Sequence, residues 1–239
     1  SWERLSGSRA ASLFCTEIFE SSRVSLSDDN QAPWISGDPA LFEAENRAAR
    51  RLFAKQEKEG NVAIQLVLAS MCFNGEGGEV DKKEARRLVT AAAARGCAEG
   101  RCLAAQMCVQ GVGGPGDKAE AERLLTLAAT EGDCFAQHYL GVFLMGDDGV
   151  TCTEEALPWF YKAVAQGHKE ATLVVAMWLW KDEQDLPGSR RLFEVLVHAG
   201  DVRGQHNLAC MLLWNFHTME DHVEARRLFT LAALQGSLP

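Results

Sequence analysis

Six glycines recur along this 239-residue chain at nearly constant intervals, and each follows a short run rich in alanine and leucine. They stand at positions 60, 96, 132, 167, 200 and 236, so the intervals are 36, 36, 35, 33 and 36 residues. A period of this length indicates one supersecondary unit copied end to end, and such units stack into a solenoid. The spacing therefore predicts a repeat protein, a class that usually holds other proteins.

Alignment on the glycines divides the chain into five units, residues 62–97, 98–133, 134–168, 169–201 and 202–237. Each unit is predicted to contain two helices. In the second helix, small and large apolar residues recur at spacings of 3 and 4, as in Ala85, Leu88 and Ala92, so they share one helical stripe. The closing glycine suits the left-handed position that ends a helix.

Acidic residues mark where several second helices start. Asp81, Asp117 and Asp221 each stand three residues before a glutamate, the spacing of a capping box, and are predicted N-caps. In the third unit, Pro158 lies inside the expected second helix. That helix is predicted to start late or to kink near Leu157.

The units resemble Sel1-like repeats, which are variants of the tetratricopeptide helical hairpin. The resemblance is carried by four features: the loop at 73–77, the Leu140-Gly141 pair, residues 155–167, and the endings at 128–132 and 232–236. It covers residues 62–237, and the fourth unit departs most because it lacks the glycine loop and the double alanine. The resemblance implies an all-α, right-handed superhelical α-solenoid of about five helix-turn-helix repeats plus an N-terminal capping helix.

The two ends of the chain are predicted to differ from the repeats. Residues 49–53 before Gly60 repeat the spacing of residues 225–229 before Gly236, so residues 40–61 are predicted to form the capping helix. Residues 1–39, with Pro33 and Gly37, are predicted to form an irregular arm. After Gly236 no polar capping helix follows in this sequence, so we expect that end to pack on a neighbouring subunit or on residues beyond it.

The resemblance also implies that the first helices line a concave face, at positions 2, 5, 9, 12 and 13 of each unit. This face becomes more apolar toward the C-terminus, and aromatic and methionine side chains there suit capture of an apolar helix or an extended peptide. The alternative is that tight curvature buries these side chains against one another. The candidate partner-binding residues are Gln106, Gln110, His138, Val142, Met145, Met177, Trp180, His206, Leu213 and Trp214.

Composition and motifs argue against several other functions. A net charge of −9 disfavours nucleic acid as a partner, and the longest apolar run, at 171–180, falls short of the ~20 residues of a membrane span. The glycine loop at 111–116 lacks the Lys-Ser/Thr of a phosphate-binding loop. Cys97, Cys102 and Cys108 lack the spacing of a zinc site, and catalytic motifs are missing. We expect no cofactor, no metal and no catalysis.

The eight cysteines favour reduced thiols over a disulfide framework. Cys72 and Cys108 fall in one column of successive units, where helix packing separates equivalent Cα atoms by roughly 8–10 Å, beyond disulfide reach. A reducing intracellular or organellar compartment is therefore favoured, although the sequence does not identify it.

We therefore predict a non-catalytic protein-interaction scaffold or adaptor, or a peripheral subunit of a larger complex, that binds its partner on the concave face. Two alternatives follow from the resemblance. One is a bacterial-type cysteine-rich repeat enzyme acting on cell-wall or β-lactam substrates, but those relatives carry a regular cysteine pair in each repeat. The other is an endoplasmic-reticulum quality-control adaptor, which no residue of this chain selects.

Overall fold

A computed structural model of the chain describes residues 39–57, 60–145, 154–181, 185–215 and 218–235. The described residues form eleven α-helices and no strand, which confirms the all-α prediction. The helices are α1 Pro39–Gln56, α2 Val62–Asn74, α3 Lys82–Ala94, α4 Ala98–Gln110, α5 Lys118–Thr130, α6 Cys134–Met145, α7 Leu157–Ala165, α8 Lys169–Lys181, α9 Leu186–His198, α10 Val202–Asn215 and α11 Met219–Leu234.

The chain forms two compact units, Ser1–Ala136 and Gln137–Pro239, called here the N-terminal and C-terminal units. In the N-terminal unit, α1 to α5 each pack against the next helix along the chain, and in the C-terminal unit α7 to α11 do the same. This consecutive packing is that of an α-solenoid. The arm predicted for residues 1–39 lies outside the described residues, apart from Pro39, which begins α1.

Helix starts follow the capping prediction in two places and depart from it in a third. The carboxylates of Asp81 and Asp117 each accept a hydrogen bond of 3.0 Å from the backbone N–H three residues on. The prediction for Asp221 is wrong, because α11 starts three residues earlier. Thr218 caps it, and its hydroxyl oxygen accepts from the Asp221 N–H at 3.1 Å. Thr218 has the extended backbone that an N-cap requires, so the helix takes this earlier cap.

The recurring glycines predicted to close the helices, called here the ladder glycines, do lie just after helix ends. Gly60, Gly96, Gly132, Gly167 and Gly200 all have positive φ, between 73° and 99°, as a left-handed closing residue requires. The sixth glycine, at 236, lies outside the described residues. The predicted late start of the second helix in the third unit is also confirmed, because α7 begins only at Leu157. Pro158 lies in its first turn, where a missing backbone N–H costs nothing.

The core of each unit forms where small residues let helices approach closely. Gly100 of α4 lies against Ala92 and Ala93 of α3, and a Cβ at Gly100 would stand 2.9 Å from the Ala93 backbone nitrogen. In the C-terminal unit, Phe160 and Phe193 are completely buried, each within its own apolar cluster. The cluster around Phe193 contains residues of α8, α9 and α10, so it joins the first helices α8 and α10 through the second helix between them.

Candidate functional site

The candidate residues on α8 are held in place by the core beneath them. Met177 and Trp180 lie three residues apart on one face of this helix and pack, half-buried, on the cluster that contains Phe193. The Trp180 ring meets the Phe193 ring edge to face, with centroids 6.1 Å apart. Its indole N–H donates a hydrogen bond of 2.6 Å to the side-chain oxygen of Asn215. Trp180 therefore has one fixed orientation, set from both α9 and α10.

The candidate residues at the end of α10 are the more exposed ones. Trp214 leaves 72% of its surface accessible, and its ring lies 5.9 Å from that of Trp180, tilted by 44°. Leu213 is 36% exposed. Met177, Trp180, Leu213 and Trp214 are together called the tryptophan surface.

Two further residues extend the same face of α10 toward its start. His206 and Cys210 lie one turn apart, with the thiol sulfur 3.6 Å from Nε2 of the imidazole. The His206 ring also meets Phe229 of α11 edge to face at 5.5 Å. Burial raises the pKa of the Cys210 thiol, so the sulfur stays protonated near neutral pH and is a poor nucleophile. The Cys210 thiol is therefore not an activated nucleophile.

The remaining candidates differ in how accessible they are. Gln106 and Gln110 lie on α4 of the N-terminal unit and are half-buried. Val142 of α6 is 40% exposed, whereas Met145 packs on the cluster around Phe160. These residues are not part of the tryptophan surface, and their role in binding stays a prediction.

His138 is placed in the interior, away from any surface. Only 3% of it is exposed, and its ring stacks on that of His168 with centroids 4.6 Å apart. Desolvation, and then the neighbouring His168, lower the pKa of His138 to about 3, so it is neutral at physiological pH. Nδ1 of His168 accepts a hydrogen bond of 3.2 Å from the Ala171 N–H, and a carboxylate oxygen of Glu170 lies 3.7 Å from the same nitrogen. We therefore leave His138 out of the interaction surface.

A shallow groove between α10 and α11 is a feature that the sequence reading missed. It is lined by Leu213, His222, Arg226, Phe229, Thr230 and Ala233. The sequence marks only one of the lining residues, because Arg226, like Arg50, Arg86 and Arg190, stands ten residues before one of the recurring glycines. This groove is called here the terminal groove.

Two other kinds of site are absent from the described part of the chain. Its His, Cys, Asp and Glu side chains form no group of three or more that could hold a metal ion. None of its helices combines the length and the apolar character that crossing a lipid bilayer requires.

The sequence profile of the Sel1 repeat matches residues 65–97, 98–133, 134–168 and 202–237. The part left unmatched, 169–201, nevertheless contains the helix pair α8 and α9. This is the unit in which the glycine loop and the double alanine are missing. A comparison with curated proteins found no match.

Solved structures with the same fold include a protective antigen present in uropathogenic Escherichia coli strains. It is 24% identical, with a TM-score of 0.67, over 80% of this chain and 42% of the antigen, so this chain spans less than half of the antigen's length. A Sel1 repeat protein from Oxalobacter formigenes is 18% identical, with a TM-score of 0.67, over 96% and 99% of the two chains. An immunity protein from Pseudomonas aeruginosa is 16% identical, with a TM-score of 0.54, over 94% and 83%. The repeat profile covers more than half of the sequence, and the chain belongs to the Sel1 repeat family.

Proposed function

We propose that this chain is a non-catalytic protein-interaction scaffold or adaptor, and that the tryptophan surface binds an apolar segment of its partner. Sel1 repeats generally mediate protein interactions, which supports the general role. The choice of surface depends on one observation, the 72% exposure of Trp214 beside the fixed ring of Trp180.

Rigidity makes this surface suited to binding. Tryptophan is enriched among the few interface residues that carry most of the binding free energy, because it buries a large area at a small entropy cost. The Trp180 ring is held by Phe193 and Asn215, so a partner does not have to order it. Trp214 then offers an aromatic face to an apolar side chain of the partner, such as leucine, methionine or phenylalanine.

Several titratable groups of the described residues favour binding over catalysis. His138 is neutral and enclosed, and burial raises the pKa values of the Cys72, Cys134 and Cys210 thiols. A catalytic nucleophile or general base needs the opposite, an accessible group with a pKa matched to its task.

The test compares two variants at exposed aromatic residues of the C-terminal unit. Trp214→Ser removes the exposed ring of the tryptophan surface, and Tyr161→Ser removes a 46% exposed ring on α7. Tagged proteins are recovered from the native source and the co-purifying proteins are quantified. We expect Trp214→Ser to lose a protein that wild type and Tyr161→Ser both retain. Equal recovery by all three folded proteins would remove the tryptophan surface from the proposal.

The peripheral-subunit form of the proposal predicts a different native size from the soluble-adaptor form. Size analysis of the native protein separates them, since a subunit elutes with its complex. A free monomer would count against the subunit form.

A further inference from the structure

A pocket in the N-terminal unit lies between α1 and the loop that follows α2, and it has no part in the tryptophan surface. Its volume is about 460 Å³. Its lining includes three arginines of α1, Arg47, Arg50 and Arg51, together with residues 77–81 of the loop. The chain as a whole has a net charge of −9, so three cations in one pocket are a local exception. This pocket is called here the arginine pocket.

The two walls of the arginine pocket are held together by contacts within the protein. Gly77 of the loop has a φ of 69°, and a Cβ there would clash with the Asn46 carbonyl of α1. Arg50 donates a hydrogen bond of 3.0 Å to the Glu79 carbonyl and one of 3.3 Å to the Cys72 sulfur. Arg50 therefore fixes the loop against α1, and a ligand does not have to order the pocket.

The other two arginines of the pocket have unused hydrogen-bond donors. Arg47 and Arg51 lie one turn apart on α1, so their side chains are neighbours. Nε of Arg47 donates to the Glu43 carbonyl at 3.3 Å, and no carboxylate of the described residues pairs with its guanidinium. Arg51 forms no hydrogen bond or ion pair within the part of the chain that the structure describes. The pocket therefore contains two guanidinium charges without a counter-charge bound to them.

A comparison of the repeats explains why Arg51 is unpaired. It stands nine residues before a ladder glycine, a position that is also arginine in four other units: Arg87, Arg123, Arg191 and Arg227. In three of these units a glutamate three residues earlier accepts two hydrogen bonds of 2.7–2.9 Å from the guanidinium, as Glu84 does from Arg87. On α1 this place is taken by Ala48. The free charge of the arginine pocket thus results from a residue difference within α1.

Two carboxylates also line the arginine pocket, and they reduce its positive charge without cancelling it. Asp81 is the N-cap of α3 and accepts the Glu84 N–H at 3.0 Å. The Glu79 side chain is exposed, and among the described residues it forms no ion pair with Arg47 or Arg51. Three arginines against two carboxylates leave the pocket positive, so an anion is the ligand class that its charge favours.

We propose that the arginine pocket binds a phosphate monoester group, with Arg47 and Arg51 donating to its oxygens. Such a group carries about −1.5 to −2 charge at pH 7 and three acceptor oxygens, which balances two guanidinium groups better than the single charge of a carboxylate does. The guanidinium fork matches pairs of phosphate oxygens. The group belongs either to a phosphorylated side chain of a partner or to a free phosphate compound. This second binding site does not depend on the tryptophan surface.

The test titrates the isotope-labelled full chain with two probes, inorganic phosphate and a short phosphoserine peptide, and follows binding by NMR. Neutral pH and constant ionic strength are kept, because salt screens exposed charges. We expect shifts concentrated on residues 46–54 and 75–81, with dissociation constants of about 1 mM or lower. Equal affinity for the two probes would support a free phosphate compound as the ligand. Tighter binding of the peptide would support a phosphorylated side chain.

Ala48→Glu is the sharpest variant, because it supplies the glutamate that pairs the equivalent arginine in other units. Glu84 and Arg87 show that the helix accommodates this pair. We expect the new glutamate to occupy Arg51 and to weaken phosphate binding about tenfold or more, and Arg51→Ala to do the same. Glu79→Gln removes a negative charge from the lining and should strengthen binding about twofold.

Two control variants test whether the phosphate binds in this pocket. Arg191→Ala is the matched control, because Arg191 on α9 has the same repeat position, is exposed, and has Gly188 where the pairing glutamate would stand. It removes the same charge outside the arginine pocket and should leave the affinity unchanged. Trp214→Ser should also bind phosphate normally, so failure of the proposed tryptophan surface would leave this result intact.

The proposal is overturned if neither probe shifts the residues of the pocket, or if Ala48→Glu and Arg51→Ala both bind like wild type. Equal weakening by Arg51→Ala and Arg191→Ala would also overturn it, since diffuse attraction would then explain the binding. A peptide with glutamate in place of phosphoserine supplies the last outcome. If it binds as tightly as the phosphopeptide, the pocket recognises carboxylates, against the proposed phosphate.

Discussion

The indole N–H of Trp180 donates a hydrogen bond of 2.6 Å to the side-chain oxygen of Asn215, although the two residues are 35 positions apart in the chain. The bond joins α8 to the end of α10, the first helices of two successive predicted repeats. It also orients Trp180 so that Trp214 can lie against it at 5.9 Å. The arrangement of the tryptophan surface therefore depends on a polar contact between repeats.

Removal of this contact should cost stability. Asn215→Ala leaves a half-buried indole N–H without its acceptor, so we expect the free energy of unfolding to fall by about 1 kcal/mol. Denaturant unfolding followed by tryptophan fluorescence measures the change. Trp180→Phe, which removes donor and indole together, is the comparison in a double-mutant cycle. Additive effects of the two substitutions would show that the hydrogen bond contributes nothing.

The buried His138 should make the protein less stable as the pH falls. Its pKa is lowered from 6.5 to about 3 in the folded state, so below pH 6.5 the unfolded chain binds a proton that the folded chain does not. Stability is therefore fully present above the unfolded pKa and is lost as the pH falls from 6.5 toward 3. Between pH 6.5 and 5 we expect a loss of about 1–2 kcal/mol from this residue.

The variant that isolates this effect is His138→Leu. Leucine occupies the same repeat position at Leu66 and Leu173, so it suits the site. Unfolding free energies of wild type and variant are measured from pH 7 to pH 5, above the range in which ordinary carboxylates titrate. The wild-type curve should be the steeper one, and parallel curves would contradict the buried, neutral state of His138.

Two glycines near the start of α10 should respond to alanine for different reasons. Gly204 packs against Leu196, so alanine there overpacks the interface and should cost about 1–3 kcal/mol. A Cβ at Gly200 would meet nothing within 4 Å, but the φ of 73° at this residue means that alanine should cost about 1 kcal/mol through backbone strain. In a Leu196→Gly background, which removes the Cβ that Gly204 approaches, the cost at Gly204 should shrink while that at Gly200 stays the same. If Gly204→Ala cost the same free energy of unfolding in both backgrounds, α10 would not be held by this close approach.

The start of α11 supplies a test of helix capping. Thr218→Ala removes the hydroxyl that accepts the Asp221 N–H, and should lower the free energy of unfolding by about 1 kcal/mol. Thr230→Ala is the matched control, because its exposed hydroxyl binds only the Arg226 carbonyl within the same helix. Thermal unfolding measures both, and a larger loss at Thr230 than at Thr218 would contradict the observed helix start.

The sequence predicted those parts of the fold that depend on neighbouring residues. Left-handed glycines, the N-caps Asp81 and Asp117, and the late start at Pro158 are all set by local backbone geometry. The cap of α11 was misplaced because Thr218 and Asp221 are both suitable capping residues, and only the surrounding structure selects one.

The candidate surface was harder to predict because exposure depends on packing between helices. His138 and His206 occupy the same position in their units, yet His138 is covered by His168 and Phe160 while His206 is exposed. The alternative of burial by neighbours thus holds for His138, whereas Trp214 is open to solvent. The terminal groove could not be predicted from the sequence, since Phe229 and the buried Phe193 stand at the same repeat position. Only the structure shows that Phe229 is half-buried.

The most direct test of the scaffold proposal is the dissociation constant of the purified native partner for wild type, Trp214→Ser and Tyr161→Ser, measured by calorimetry. An interface anchor contributes about 2 kcal/mol or more, so Trp214→Ser should weaken binding by roughly 30-fold while its thermal midpoint stays that of wild type. Tyr161→Ser should bind like wild type. Dissociation constants for Trp214→Ser within about twofold of wild type would contradict the account.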